Sequence, residues 1–179
     1  MFETFSKILN SSAPGGSPLL HYLFNCLWLL APIMLWNIVF AGKLPAAFQP
    51  ETFEKNIPIF IVAGENFFRL VIFILPILMP LRFVTLTQKV GLGLYAAGTA
   101  LYFLAWLALM VFPHSAWSLS APGFLAPAYT PLIWLIGIGL IGRSLYFASP
   151  YQPWMYIVLA IIFVGFHVSH TTLVYLSTF

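Results

Sequence analysis

Aspartate is absent from the 179 residues, cysteine occurs once, and only 6% of the chain is charged. Ordinary soluble domains are roughly a quarter charged, so a water-soluble globular protein is excluded. The single thiol, Cys26, closes no intrachain disulfide and builds no cysteine cage around a metal. Seven Lys and Arg against four Glu give a formal charge of +3, too sparse to form the basic surface that holds a phosphate backbone. Nucleic acid is therefore excluded as a partner. No internal repeat is visible, and the apolar segments lack the period-2 alternation of barrel strands.

The chain is instead 61% hydrophobic, and residues 8–42, 90–142 and 144–179 contain no Asp, Glu, Lys or Arg. Each stretch exceeds the roughly 20 apolar residues needed to cross a bilayer. In hydrocarbon, backbone polar groups must be satisfied within the span, which leaves helices as the solution for continuous apolar runs. Charged residues and prolines then divide the chain into five spans, at about 19–41, 58–80, 90–112, 131–148 and 154–176. Pro58 and Pro131 suit first helical turns, Pro113 ends the third span, and Pro150 and Pro153 break the last connection. The expected fold is an all-α integral membrane protein, a bundle of five transmembrane helices. Residues 19–179 form its single domain.

Residues 1–18 read as an interfacial segment, with Phe2, Phe5 and Leu9 at helical spacing, followed by a Ser, Pro and Gly linker. No cleavable signal peptide is expected, because a basic leading region is missing and the apolar run begins late. Lys7, Arg82, Lys89 and Arg143 fall on the side of the N-terminus, while Lys43 and Lys55 fall opposite with Glu51 and Glu54. Cytoplasmic loops carry the Lys and Arg excess, so the N-terminus is expected inside and the C-terminus outside, in a plasma or bacterial inner membrane. Trp36, Trp117 and Trp134 are expected to anchor the outer interface, and Tyr151, Trp154 and Tyr156 the inner one.

The second span carries Gly64-Glu65-Asn66-Phe67-Phe68-Arg69, two charges inside an apolar helix. Each charge costs about 2.5 to 3.5 kcal/mol at a helix centre, which makes intramembrane ionisable residues functional candidates. Glu65 and Arg69 are four apart and share a face. At 1.5 Å per residue they lie about 10 Å and 16 Å below the outer end. Pro76, on the same face, frees the carbonyl of Ile72 and is expected to kink the helix and widen a cavity beneath the pair. On the fifth span, His167, His170 and Thr171 form one polar stripe, with the histidines about 14 Å and 9 Å below the outer end. Asn37 and His114 are also expected near that end. One outer half thus gathers Asn37, Glu65, Asn66, Arg69, His114, His167 and His170.

Glu65, Asn66, Arg69 and Asn37 are the expected ligand-binding residues, with Arg69 free to exchange its carboxylate partner for an anionic group on a ligand. His167, His170 and His114 are the expected metal ligands, since neutral imidazoles with a carboxylate suit a divalent metal. A diiron centre needs more carboxylates than one Glu supplies. Haem is disfavoured: two axial histidines must stand on opposite sides of the ring, and His21 lies at the other end of the bundle. Gly137-Ile138-Gly139-Leu140-Ile141-Gly142 resembles a dinucleotide fingerprint in letters alone and, within a span, reads as close helix packing. Gly91, Gly98 and Ala105 read as a second small-residue seam. Arg143 is expected to snorkel to the inner interface.

Three functional classes fit these features. One is a small-molecule or ion-binding membrane protein, which includes a transporter. The second is an intramembrane enzyme, metal-dependent or acid-base, that acts on a lipid-soluble substrate. The third is an accessory subunit whose seams face a second copy or another membrane-complex partner.

Overall fold

A computed structural model describes residues 22–179. Those residues are helical without a named strand, and five stretches are long and apolar enough to cross a membrane: Cys26–Lys43, Ile59–Leu78, Leu86–Val111, Ala121–Ile141 and Pro153–Thr178. This architecture is compatible with a polytopic membrane protein. The expected interfacial segment and linker at 1–18, the start of the first span at 19, and His21 lie outside the described residues. The α-helices are α1 (Ala31–Phe40), α2 (Pro50–Phe53), α3 (Ile59–Ile74), α4 (Leu86–Val111), α5 (Ala116–Leu119), α6 (Ala121–Tyr129), α7 (Pro131–Ile141) and α8 (Pro153–Thr178).

The first span is broken. Asn25 caps a 3-10 turn, Cys26–Leu29, by accepting the Leu27 N–H, and α1 begins only at Ala31, with Pro32 in its first turn. The turn is pinned to the end of the second span: Cys26 N–H donates to Met79 O at 2.9 Å, and Leu81 N–H donates to Phe24 O at 3.0 Å. Two chain ends that would otherwise need water thus satisfy each other.

At Pro76 the second span tightens from α3 into a 3-10 turn, Leu75–Leu78. Proline has no N–H to give the carbonyl of Ile72. The expected cavity does not open there. Tyr156 of α8 fills the position and donates its hydroxyl to Ile72 O at 3.2 Å, with both residues fully buried.

The fourth span is displaced from its expected range. It begins at Ala121 and ends at Ile141, rather than running from 131 to 148. Ser120 caps α6, Pro122 lies in its first turn, and the break before α7 is bridged by the Thr130 hydroxyl donating to Ala126 O at 2.7 Å. Pro131 does start a helix, but within a span already under way. Beyond Gly142 the chain leaves the helix and is held by Tyr146 N–H donating to Leu78 O at 3.0 Å.

The small-residue seams pack against each other. A Cβ on Gly137 would lie 2.5 Å from Tyr95 N and 2.7 Å from Gly91 O, and one on Gly98 would lie 2.5 Å from Trp134 N. These glycines let α4 and α7 approach backbone to backbone, so the seam is consumed within the chain. Gln88 reinforces the contact: its Oε1 caps α4, and its Nε2 donates to the last α7 carbonyl, Ile141 O, at 3.1 Å. Arg143 is exposed at this end, with Nη1 3.5 Å from Thr85 Oγ1. The aromatics expected to anchor the two interfaces divide between surface and core. Trp117 and Trp154 are exposed, but Trp134, Tyr151 and Tyr156 are core residues, and Trp36 stacks on Phe103 at 4.1 Å.

Candidate binding site

Helices α3 and α8 run antiparallel, since Gly64 faces Phe166 while Ile72 faces Tyr156. A Cβ on Gly64 would come within 2.5 Å of the Phe166 ring, so glycine lets the helices close on each other next to Glu65. The Glu65 side chain is only 3% exposed. An isolated carboxylate there would be very costly, and the surrounding donors offset that cost.

Oε1 of Glu65 accepts from Arg69 Nη2 and contacts His167 Nδ1 at 3.0 Å, while Oε2 contacts His170 Nδ1 at 2.6 Å. Arg69 donates a second bond, from Nη1 to Asn66 Oδ1 at 3.0 Å, and lies 5.9 Å from the centre of the Phe163 ring. The same ring stacks on His167 at 5.6 Å. His170 continues the chain of contacts: its Nε2–H donates to Phe53 O at 2.9 Å, and its ring stacks on Phe53 at 4.4 Å. Through His170, one buried carboxylate therefore links α3 and α8 to α2.

The structure brings together Glu65, Asn66, Arg69, His167 and His170 from the residues expected at the site. Asn37 is paired elsewhere, its Oδ1 accepting from Tyr102 OH at 2.7 Å. His114 is exposed in the connection after α4. Among the described residues no group of three His, Cys, Asp or Glu side chains is arranged to hold a metal. The expected set of His114, His167 and His170 is thus not assembled, and each of the last two turns a ring nitrogen to Glu65.

Beside the carboxylate lies a cavity of about 180 Å³, walled by Phe53, Tyr102, Trp106, Ala128, His167 and Thr171 among others. His167 belongs to both features. It meets Glu65 through Nδ1, and its Nε2 has no hydrogen-bond partner among the described residues. Trp106 is buried beside Tyr102, with the ring centres 5.8 Å apart. Sequence reasoning did not single out Tyr102, Trp106, Ala128 or Phe53. The i, i+4 pair of aromatics Tyr102 and Trp106 was a signal available on α4; a backbone acceptor such as Phe53 O leaves no trace in side-chain identity.

No protein-family model, curated protein or solved structure matches the chain.

Proposed function

We propose that the chain is a multi-pass membrane protein, N-terminus inside and C-terminus outside, that binds a small molecule or ion in the outer half of its bundle and serves as a carrier for it. The observation that carries this reading is the buried Glu65 carboxylate held by Arg69, His167 and His170, with His167 also forming a cavity wall. A buried charge set adds little stability over a well-packed apolar equivalent, so stability alone is a weak reason for its presence.

The cavity suits a ligand about the size of one six-membered ring, since apolar cavities of about 150 Å³ hold benzene. Aromatic walls would bury the ring, while His167 and Thr171 are polar side chains of the lining that can orient it. Arg69 is 40% exposed, which allows an anionic substituent to compete with Glu65 for the guanidinium. Thermal stabilisation of the purified full chain by a panel of single-ring compounds tests the reading. At least one compound is expected to raise the melting temperature of the wild type. Glu65→Gln and His167→Ala should remain folded yet bind it at least about tenfold more weakly, roughly 1.4 kcal/mol. A panel without a binder, or binding unchanged in both variants, contradicts the proposal.

A specific feature also favours the enzymatic reading. Glu65 meets His167 at Nδ1, and the same histidine forms part of the cavity wall, an arrangement by which a carboxylate can set up an imidazole base. Conversion of a bound compound, lost in His167→Ala but with binding retained, would move acid-base catalysis ahead of carriage.

A further inference from the structure

We infer that Glu65 and His170 together hold one exchangeable proton, and that this proton clamps the outer segment bearing Phe48 and Phe53 over the cavity. Each ring nitrogen of His170 faces an acceptor: Nε2 is 2.9 Å from Phe53 O, and Nδ1 is 2.6 Å from Glu65 Oε2. A backbone carbonyl only accepts, so the Nε2 position carries a hydrogen. At 2.6 Å, a bare Nδ1 lone pair and a bare carboxylate oxygen would repel. A second proton must lie between them. It belongs to the pair, whether written as imidazolium with carboxylate or as imidazole with carboxylic acid.

The other groups facing this pair do not substitute for that proton. From α3, Arg69 donates to Oε1 and to Asn66. From α8, His167 meets Oε1 through Nδ1, and Thr171 donates to His167 O. From α2 and the residue after it, the contributions are the Phe53 carbonyl and ring, while Glu51 and Glu54 are exposed and form no ion pair among the described residues. Only the His170–Glu65 contact requires the extra proton.

Releasing the proton to water leaves His170 neutral, with one N–H for two acceptors. A hydrogen bond to a carboxylate is roughly twice as strong as one to a neutral carbonyl, so the hydrogen stays at Nδ1. Nε2 then turns a lone pair toward Phe53 O, and the tether is lost. That tether holds the segment containing Ala46–Phe48 and Pro50–Phe53, whose Phe48 and Phe53 form part of the cavity wall. Without it, ring stacking of Phe53 on His170 and of Phe48 on Phe124, with the Gln49 amide donating to Ala41 O and Leu44 O, remains to hold the segment closed. Proton release therefore loosens the cover of the cavity. This inference does not depend on which ligand the cavity takes, or on whether it takes one.

The test uses the full chain in lipid nanodiscs with a spin label at Glu51→Cys, an exposed position, while the native Cys26 is fully buried. Label mobility is followed from about pH 5 to pH 9, an interval that brackets an ordinary histidine. Expected is a single-proton transition, with the mobile fraction several times larger on the alkaline side. His170→Asn should be mobile throughout, while His167→Gln should retain the transition. Independently, 15N-histidine spectra of unlabelled wild type should show both His170 nitrogens protonated, or sharing the Glu65 proton, on the acidic side and one N–H on the alkaline side. Mobility that is flat across the interval overturns the inference. So does a transition that survives in His170→Asn, or a wild-type His170 that holds a single, unshared N–H throughout, a result that stands even if the variant does not fold.

Discussion

Glu65 organises the residues around it because its two carboxylate oxygens meet Arg69, His167 and His170. Its pairing with Arg69 was legible from four-residue spacing, and its meeting with His167 and His170 from matched depth on antiparallel helices. Glu65 lies six residues into α3 and His170 eight residues before the end of α8, about 9 Å and 12 Å. The Asn37–Tyr102 bond was not legible, because nothing distinguishes Tyr102 from the other tyrosines until α1 and α4 are packed. Removing one member of a buried charge set leaves the others uncompensated, a loss of about 3 to 5 kcal/mol. Glu65→Ala should show a loss of that order in denaturant unfolding of the detergent-solubilised chain. Asn66→Ala, whose bond to Arg69 is exposed, should change stability by less than about 1 kcal/mol. Equal effects of the two substitutions would argue against a carboxylate-centred site.

Among the elements, proline proved an ambiguous boundary. Pro131 is acceptable both as the first residue of a span and as the start of a second helix within one, and only the packing of α6 beside α8 separates the cases. Pro76 did break its helix, but the freed carbonyl was claimed by a tyrosine from another helix. Tyr156→Phe removes that hydroxyl and leaves Ile72 O buried without a partner, at a cost of about 1 to 3 kcal/mol, measurable as a lowered unfolding midpoint. The glycine seam gives a sharper contrast. In Gly137→Ala the new methyl meets Tyr95 and Gly91 backbone, which cannot swing aside, so α4 and α7 must separate, with a loss of at least about 1 to 3 kcal/mol. Gly93→Ala, on the partner helix α4 with nothing within 4 Å of the added Cβ, should be neutral or stabilising. Comparable losses at both positions would contradict a close α4–α7 crossing.

For the whole molecule, composition and charge-free length identified an all-helical chain with five apolar spans, and the structure bears that out. Their ends were less legible, because tertiary hydrogen bonds such as Tyr146 N–H to Leu78 O decide where the chain leaves a helix. The proposed orientation places the connection after the first span outside and the one after the second inside. A membrane-impermeant thiol reagent applied to sealed right-side-out vesicles should label Glu51→Cys and leave Lys89→Cys unlabelled until the vesicles are opened; the reverse pattern would invert the topology. The proposed ligand occupies the cavity beside His167. Ala128 lines it and is 1% exposed, so Ala128→Leu fills the cavity while the contacts of Glu65 stay in place. The deciding measurement is calorimetric titration of wild type and Ala128→Leu with a single-ring compound that stabilises the wild type. Saturable binding to the wild type and none to the folded variant is expected. Equal binding to both would place the ligand elsewhere and contradict the assignment of this cavity as its site.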